Sequence, residues 1–114
     1  MIRTKRIYDR PDKGDGFRIL VDRLWPRGLS KDKAKVDLWL KDIAPSNELR
    51  RWFSHDINKW TEFQKRYEQE LESKEELINK IRKIEKENKT VTLLYSAKDT
   101  SYNNAVVLRD YLKS

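Results

Sequence analysis

Apolar and polar residues change their spacing several times along the chain, and each change marks an element. From Arg3 to Tyr8, Thr4, Arg6 and Tyr8 alternate with Lys5 and Ile7, the period of a short strand. Asp9–Gly16 holds one Pro and two Gly and reads as a loop. Phe17–Val21 is a mostly apolar, partly β-branched run suited to a buried strand. Pro26 disfavours helix at Trp25, so Asp22–Gly28 is a loop leaving a strand end. Ser30 can cap one helical turn over residues 31–34. Val36, Leu38 and Leu40 then alternate with Asp37, Trp39 and Lys41, although 36, 39, 40 and 43 also have helical spacing. The strand is favoured, because Pro45 ends the segment before a stable helix length is reached.

The middle of the chain turns helical. Ser46 is a candidate N-cap for a helix with Leu49, Trp52 and Phe53 on one face. Asp56 can cap the next helix, where Trp60, Phe63, Tyr67 and Leu71 form an apolar stripe. Ser73 and Glu76 match a capping box, opening a helix with Leu77, Ile78, Ile81 and Ile84 inward. Asn88 is expected to stop it in a left-handed conformation. Val91–Tyr95 is nearly all apolar and reads as a central strand. Ser96–Ser101 is its exit loop, and Tyr102–Leu112 a closing helix with Ala105, Leu108 and Leu112 inward.

Helices before and after the last strand predict a single α/β layered domain over residues 1–114. Its small sheet has at least one parallel pair flanked by helices. The loop between the first two strands is long enough for an antiparallel hairpin and too short for a crossover helix. Leu93, Leu94, Ile19, Val21, Leu108 and Phe63 are expected to share one core, with Trp52 and Trp60 packed against it.

Composition narrows the chemistry. The 114 residues carry a net charge of +7, one His and no Cys. Thiol catalysis, disulfides, Cys-based metal centres and a two-His metal site are therefore excluded within one chain. No cofactor is implied, since dinucleotide, Walker and calcium-loop motifs are all missing. No apolar stretch approaches the ~18 residues of a membrane span, and the basic start has no apolar run behind it. No membrane association is expected, and the expected location is cytoplasmic. Twelve aromatic residues argue against disorder despite 39% charged residues. Residues 1–35 hold eleven Lys or Arg against five Asp, so nearly all the excess charge lies in the first third. That distribution favours an anionic partner there, although a solvated surface would look the same.

Two polar segments follow apolar strands, where ligands sit in open α/β sheets. One holds Asp22, Arg23 and Arg27; the other holds Ser96, Lys98, Asp99 and Asn103. If the two strands are parallel neighbours, the segments face each other across one crevice. Arg23 and Arg27 offer planar forks for phosphate or carboxylate and are expected to bracket an anion. Ser96 can donate a hydrogen bond, and Asp99 can act as base or orienter, or can cap the last helix. Asp22 and Arg23 can instead form a buried ion pair. His55 is the one side chain expected to titrate near neutral pH, though a lone His between helices is more often structural. Ser96, His55 and Asp99 make a nominal catalytic set without the local Gly-x-Ser-x-Gly signature. Trp25, in a Pro-containing loop beside two Arg, is a candidate exposed stacker or a lid.

Several stretches carry a family resemblance: Lys5–Asp9, Gly16–Ser30 with its Asp-Arg-Leu-Trp-Pro-Arg-Gly run, Trp39–Ser46, Leu49–Phe53 with His55-Asp56, Leu93–Asp99, and Asn103–Leu108. Together they resemble the YeaO-like family of uncharacterised bacterial proteins over essentially the whole chain. The resemblance implies a compact cytosolic α/β domain and brings no established activity. Its polar motif residues map onto Asp22, Arg23, Arg27, Arg50, His55, Asp56, Ser96, Asp99 and Asn103. Longer relatives carry Cys and His around the loop after the last strand. Here that loop reads Ser-Ala-Lys-Asp, so no thiol mechanism carries over. The family's common Asp-Pro at the third helix is Asp56-Ile57 here, which touches only the cap geometry.

Three functions fit these residues: a crevice for a small phosphate-bearing anion at strand C-termini, a nucleic-acid-binding module using the basic N-terminal third and Trp25, and an interaction domain without catalysis. The sequence leaves open whether the chain is an enzyme.

Overall fold

In the computed structural model, which describes residues 1–114, four strands form one sheet in the order β1-β4-β2-β3. These are β1 (Ile2–Arg6), β2 (Phe17–Leu20), β3 (Leu38–Trp39) and β4 (Val91–Tyr95). All three pairings are parallel. Leu93 lies between Thr4 of β1 and Ile19 of β2. Every residue of β4 is buried, as the continuous apolar run of a central parallel strand requires.

The antiparallel hairpin considered for the first two strands does not form. A hairpin would leave the most apolar strand with an open edge; insertion of β4 between β1 and β2 pairs both of its edges. The loop after β1 instead carries the chain back to the end where β1 started. A short 3₁₀ turn at Lys13–Asp15 closes it, with Asp12 and Asp15 in a reciprocal capping box. Gly16 (φ 64°) then lets Phe17 N–H reach the Thr90 carbonyl at 3.0 Å. A Cβ at Gly16 would collide with that carbonyl. β1 begins one residue before the expected Arg3 and ends at Arg6, although Ile7 N–H still donates to Tyr95 O at 2.8 Å.

Five helices complete the fold: α1 (Lys31–Ala34), α2 (Asn47–Phe53), α3 (Trp60–Glu72), α4 (Glu75–Asn88) and α5 (Asn104–Lys113). Ser30 and Ser46 cap α1 and α2 as their positions suggest. Asp56 caps a 3₁₀ turn, Ile57–Lys59, that runs directly into α3. The capping box expected at Ser73 and Glu76 is not made: α4 starts after Lys74 with no side-chain cap. Only two residues separate α3 from α4, and the Ser73 hydroxyl donates to Glu70 O, satisfying the end of α3. The left-handed stop is Lys89 (φ 67°), while Asn88 stays helical and donates to Ile84 O. The alternation over 36–40 does form a strand, but β3 is only two residues long before a 3₁₀ turn at Lys41–Ile43.

The main core contains Ile19, Val21, Leu93, Leu108 and Phe63, with Trp52 and Trp60 half-buried against it. Leu94 is a correction: it faces the other side of the sheet, packed with Ile7, Leu20 and Ala34. Successive strand residues point to opposite faces, so neighbours 93 and 94 cannot share one layer. Trp25, Leu29 and Val36 cover that second face. No helix is long and apolar enough to cross a membrane.

Candidate functional site

Parallel pairing of β2 with β4 brings their C-terminal exits side by side, and the two loops enclose one cavity of about 780 Å³. Asp22, Arg23, Ser96, Asp99 and Asn103 line it together, as does His55 at the end of α2. Asp22 is the joint between the loops. It accepts from Ser96 N–H at 2.9 Å, Ser96 Oγ at 2.7 Å and Asn104 Nδ2 at 3.2 Å. Burial pushes the Asp22 carboxyl up; the Ser96 and Asn104 donors and the nearby His55 pull it down without cancelling that effect.

The ion pair with Asp22, the alternative to anion binding by Arg23, does not form. The Arg23 guanidinium donates to Pro45 O at 3.3 Å and Ala44 O at 3.2 Å. This ties the β2 exit to the segment before α2 and leaves the positive charge without a carboxylate at ion-pair distance. Asp99 folds its own loop: Oδ1 accepts from Ser101 N–H and Tyr102 N–H, both at 2.9 Å. The Tyr102 and Ser101 amides hold its carboxyl below the ordinary value. The cap of α5 is Asn103, which accepts from Val106 N–H at 3.0 Å and donates to Asp99 O at 2.9 Å.

His55 sits exposed at the cavity rim. It and Ser54 both take left-handed backbone angles, φ 58° and 43°. Two consecutive non-Gly residues in that region make a costly reversal, held because Phe53 and Asp56 on either side are anchored. No hydrogen bond links His55 to Ser96 or Asp99. The Ser96 hydroxyl goes to Asp22, so the nominal Ser–His–Asp set shares a cavity without being wired as a relay.

Two proposed site residues lie elsewhere. Arg27 is exposed and outside the cavity wall, its carbonyl accepting from Tyr8 Oη at 3.0 Å. Trp25 turns onto the second sheet face, donating to Leu29 O at 2.7 Å and meeting Trp39 edge-on at 5.5 Å. The loop folds back because that face otherwise leaves Leu20 and Leu94 uncovered. The pair expected to bracket an anion is thus divided.

Other cations take Arg27's place. Arg50 and Arg51, in the last turn of α2, line the cavity with Lys98. None of Arg23, Arg50, Arg51 and Lys98 is in an ion pair, and Asp22 and Asp99 are the only acids in the wall. In the sequence, Arg50 is marked only as a motif residue of the family resemblance, and Arg51 is not singled out. What was missed is that α2 packs beside the loops after β2 and β4, which the local pattern does not encode.

Compared with known proteins, residues 1–114 match the family model described as "Inactive DUF488-N3 subclade". The chain belongs to this family. Similar proteins align over nearly the whole chain. Escherichia coli YeaO, described as an uncharacterized protein, is 45% identical over 99% of this chain and 97% of its own. The Mycobacterium tuberculosis protein Rv3073c and the Mycobacterium bovis protein Mb3100c, also described as uncharacterized, are each 39% identical. Both alignments cover 97% of this chain and 92% of theirs. No solved structure matches. The YeaO-like resemblance read from the Asp22–Gly28 run and its companions is thereby established.

Proposed function

We propose that this DUF488-N3 chain is a binding domain for a small phosphate-bearing anion, held without turnover in the cavity where β2 and β4 end. The observation that carries this reading is the charge of the wall: four cationic side chains free of ion pairs against two acids already engaged in hydrogen bonds. The N-terminal end of α5 adds dipole-favoured N–H groups at the same place. Asp22 would repel an anion, but its carboxylate is already engaged by Ser96 N–H, Ser96 Oγ and Asn104 Nδ2. The absence of turnover rests on the family's description as inactive and on a Ser96 hydroxyl committed to a carboxylate.

The nucleic-acid reading has less support. Its stacking residue Trp25 is packed against Trp39, and Lys5 and Arg18 of the basic N-terminal third are paired with Asp15.

Thermal melts in rising phosphate or sulfate test the proposal. A ligand at about 100 times its Kd adds ~2.7 kcal/mol to the folded state. The wild type should gain stability saturably, the Arg50→Ala/Arg51→Ala double variant should gain little, and Arg27→Ala should follow the wild type. An equal gain in the double variant removes the anion from this cavity. Polynucleotide binding that falls steeply with salt, without saturable small-anion binding, would replace this reading with the nucleic-acid one.

A further inference from the structure

We propose that the anion bound here carries an aromatic body, as nucleoside monophosphates and aryl phosphates do. This rests on the anion-binding reading above and goes further, because the cavity is larger and more apolar than an inorganic anion requires.

A phosphate ion occupies the space of a few water molecules, each about 30 Å³. The cavity holds about 780 Å³, within the ~300–1,000 Å³ range of sites that enclose an organic molecule. Its wall offers two kinds of chemistry. The cations described above share it with the apolar surface of Leu24, Phe53, Phe63 and Tyr102. Phe53 and Phe63 are stacked with ring centroids 4.3 Å apart, so this surface is built on a rigid aromatic base. Tyr102 meets Trp60 edge-on at 5.2 Å, which extends the same ring system.

Two large lining side chains are left in water. Leu24 is 61% exposed and Tyr102 39% exposed. Both stand on the loops that bind Asp22 and Ser96 together, one from each strand exit. Large apolar side chains left in water along a cavity gain most from a ligand that covers them. Aromatic walls favour a flat π-system through offset and edge-to-face contact, beyond the area that an aliphatic body would bury. A sugar phosphate without a ring base would cover less of this apolar surface. The lining therefore assigns the anionic head to the Arg and Lys side chains and the flat body to Leu24 and Tyr102.

Calorimetric titration of the full chain with inorganic phosphate, ribose 5-phosphate, phenyl phosphate and adenosine monophosphate tests this. Phenyl phosphate and adenosine monophosphate should both bind about ten-fold tighter than the two ligands without an aromatic ring. Tyr102→Ala and Leu24→Ser, both at exposed positions, should each shrink that ratio toward one. Four affinities of similar size would overturn the aromatic-body inference while leaving the anion site in place. No binding of any of the four would remove the anion site itself. An aromatic advantage that survives intact in the Tyr102→Ala/Leu24→Ser double variant would put the body elsewhere and overturn the assignment. Tight phenyl phosphate with weak adenosine monophosphate would support the aromatic body and exclude nucleosides.

Discussion

Two aspartates show how differently one side chain behaves in this fold. Asp15 is buried on the second sheet face, where it accepts from Arg18 Nη1, Lys5 Nζ and Asp12 N–H. Burial raises its pKa, but the Asp12 amide and the Lys5 and Arg18 side chains outweigh burial and lower it overall. Arg18 also donates to Lys35 O at 3.0 Å and Ala34 O at 2.8 Å, so its buried guanidinium is well satisfied. Arg18→Ala should therefore cost about 3–5 kcal/mol, because it leaves a buried carboxylate short of its partner; urea melts measure this. A lowered folded pKa means stability that is present above the unfolded value of about 3.9 and lost as pH falls through the folded value. Asp22 has the opposite sign. Its raised folded pKa means that the folded state holds the proton more tightly, so stability falls as pH rises from about 4 through that pKa. Relative to Asp22→Asn, the wild type should lose stability over that interval, as melts at pH 4, 5, 6 and 7 would show. A difference that stays flat with pH would mean that Asp22 titrates as it does in the unfolded chain. Neither role was legible in the sequence, where Asp15 reads as a loop residue and Asp22 as a partner for Arg23. The role of Asp22 depends on Ser96, more than seventy positions away, while the Asp15 carboxylate meets residues within ten positions and Thr92 holds only its backbone carbonyl, at 2.6 Å.

At the scale of elements, local pattern carried further. The stripe of α3 reads directly as its buried face, with Phe63, Tyr67 and Leu71 inside. Phe63→Ala should cost about 3–5 kcal/mol, and Trp60→Ala less, since Trp60 is only half-buried. Chemical denaturation of both variants tests the order; a larger loss for Trp60 would contradict this packing. Caps were legible where one helix end stood alone, as at Ser30 and Ser46. The signal failed at Ser73, where two helix ends compete for one hydroxyl. Gly16 belongs to the same scale. It is a turn residue by composition, yet its necessity comes from the close approach of Thr90, far along the chain. Gly16→Ala combines a positive φ with a backbone collision and should destabilise by more than ~1 kcal/mol, whereas Gly28→Ala meets no neighbouring atom and should cost less. Equal losses would show that strand β2 can shift away from Thr90.

For the whole molecule, the decisive fact is that β4 lies between β1 and β2, both parallel to it. The apolar composition of β4 announced a central strand, and the polar runs after β2 and β4 announced a crevice at their shared end. The third wall of that crevice was not legible, because the local pattern of α2 does not say which loops it packs beside. Arg27, by contrast, follows a loop that leaves the cavity to cover the second face beside Trp25. These two destinations make amide exchange a direct test of where an anion binds. Amides in loops and at helix ends exchange through local opening, and a ligand that bridges two such segments raises the cost of opening both. With saturating phosphate, protection should rise at residues 50–56 and 96–104, which face each other across the cavity. It should stay constant over residues 25–34, on the other side of the sheet. β4 amides should be slow with or without phosphate, since they open only with the whole sheet. Protection over 25–34 without change at 50–56 would place the anion with Arg27 and separate charge from cavity. Protection at 96–104 alone would leave the α5 N-terminus as the sole contact and remove Arg50 and Arg51 from the site.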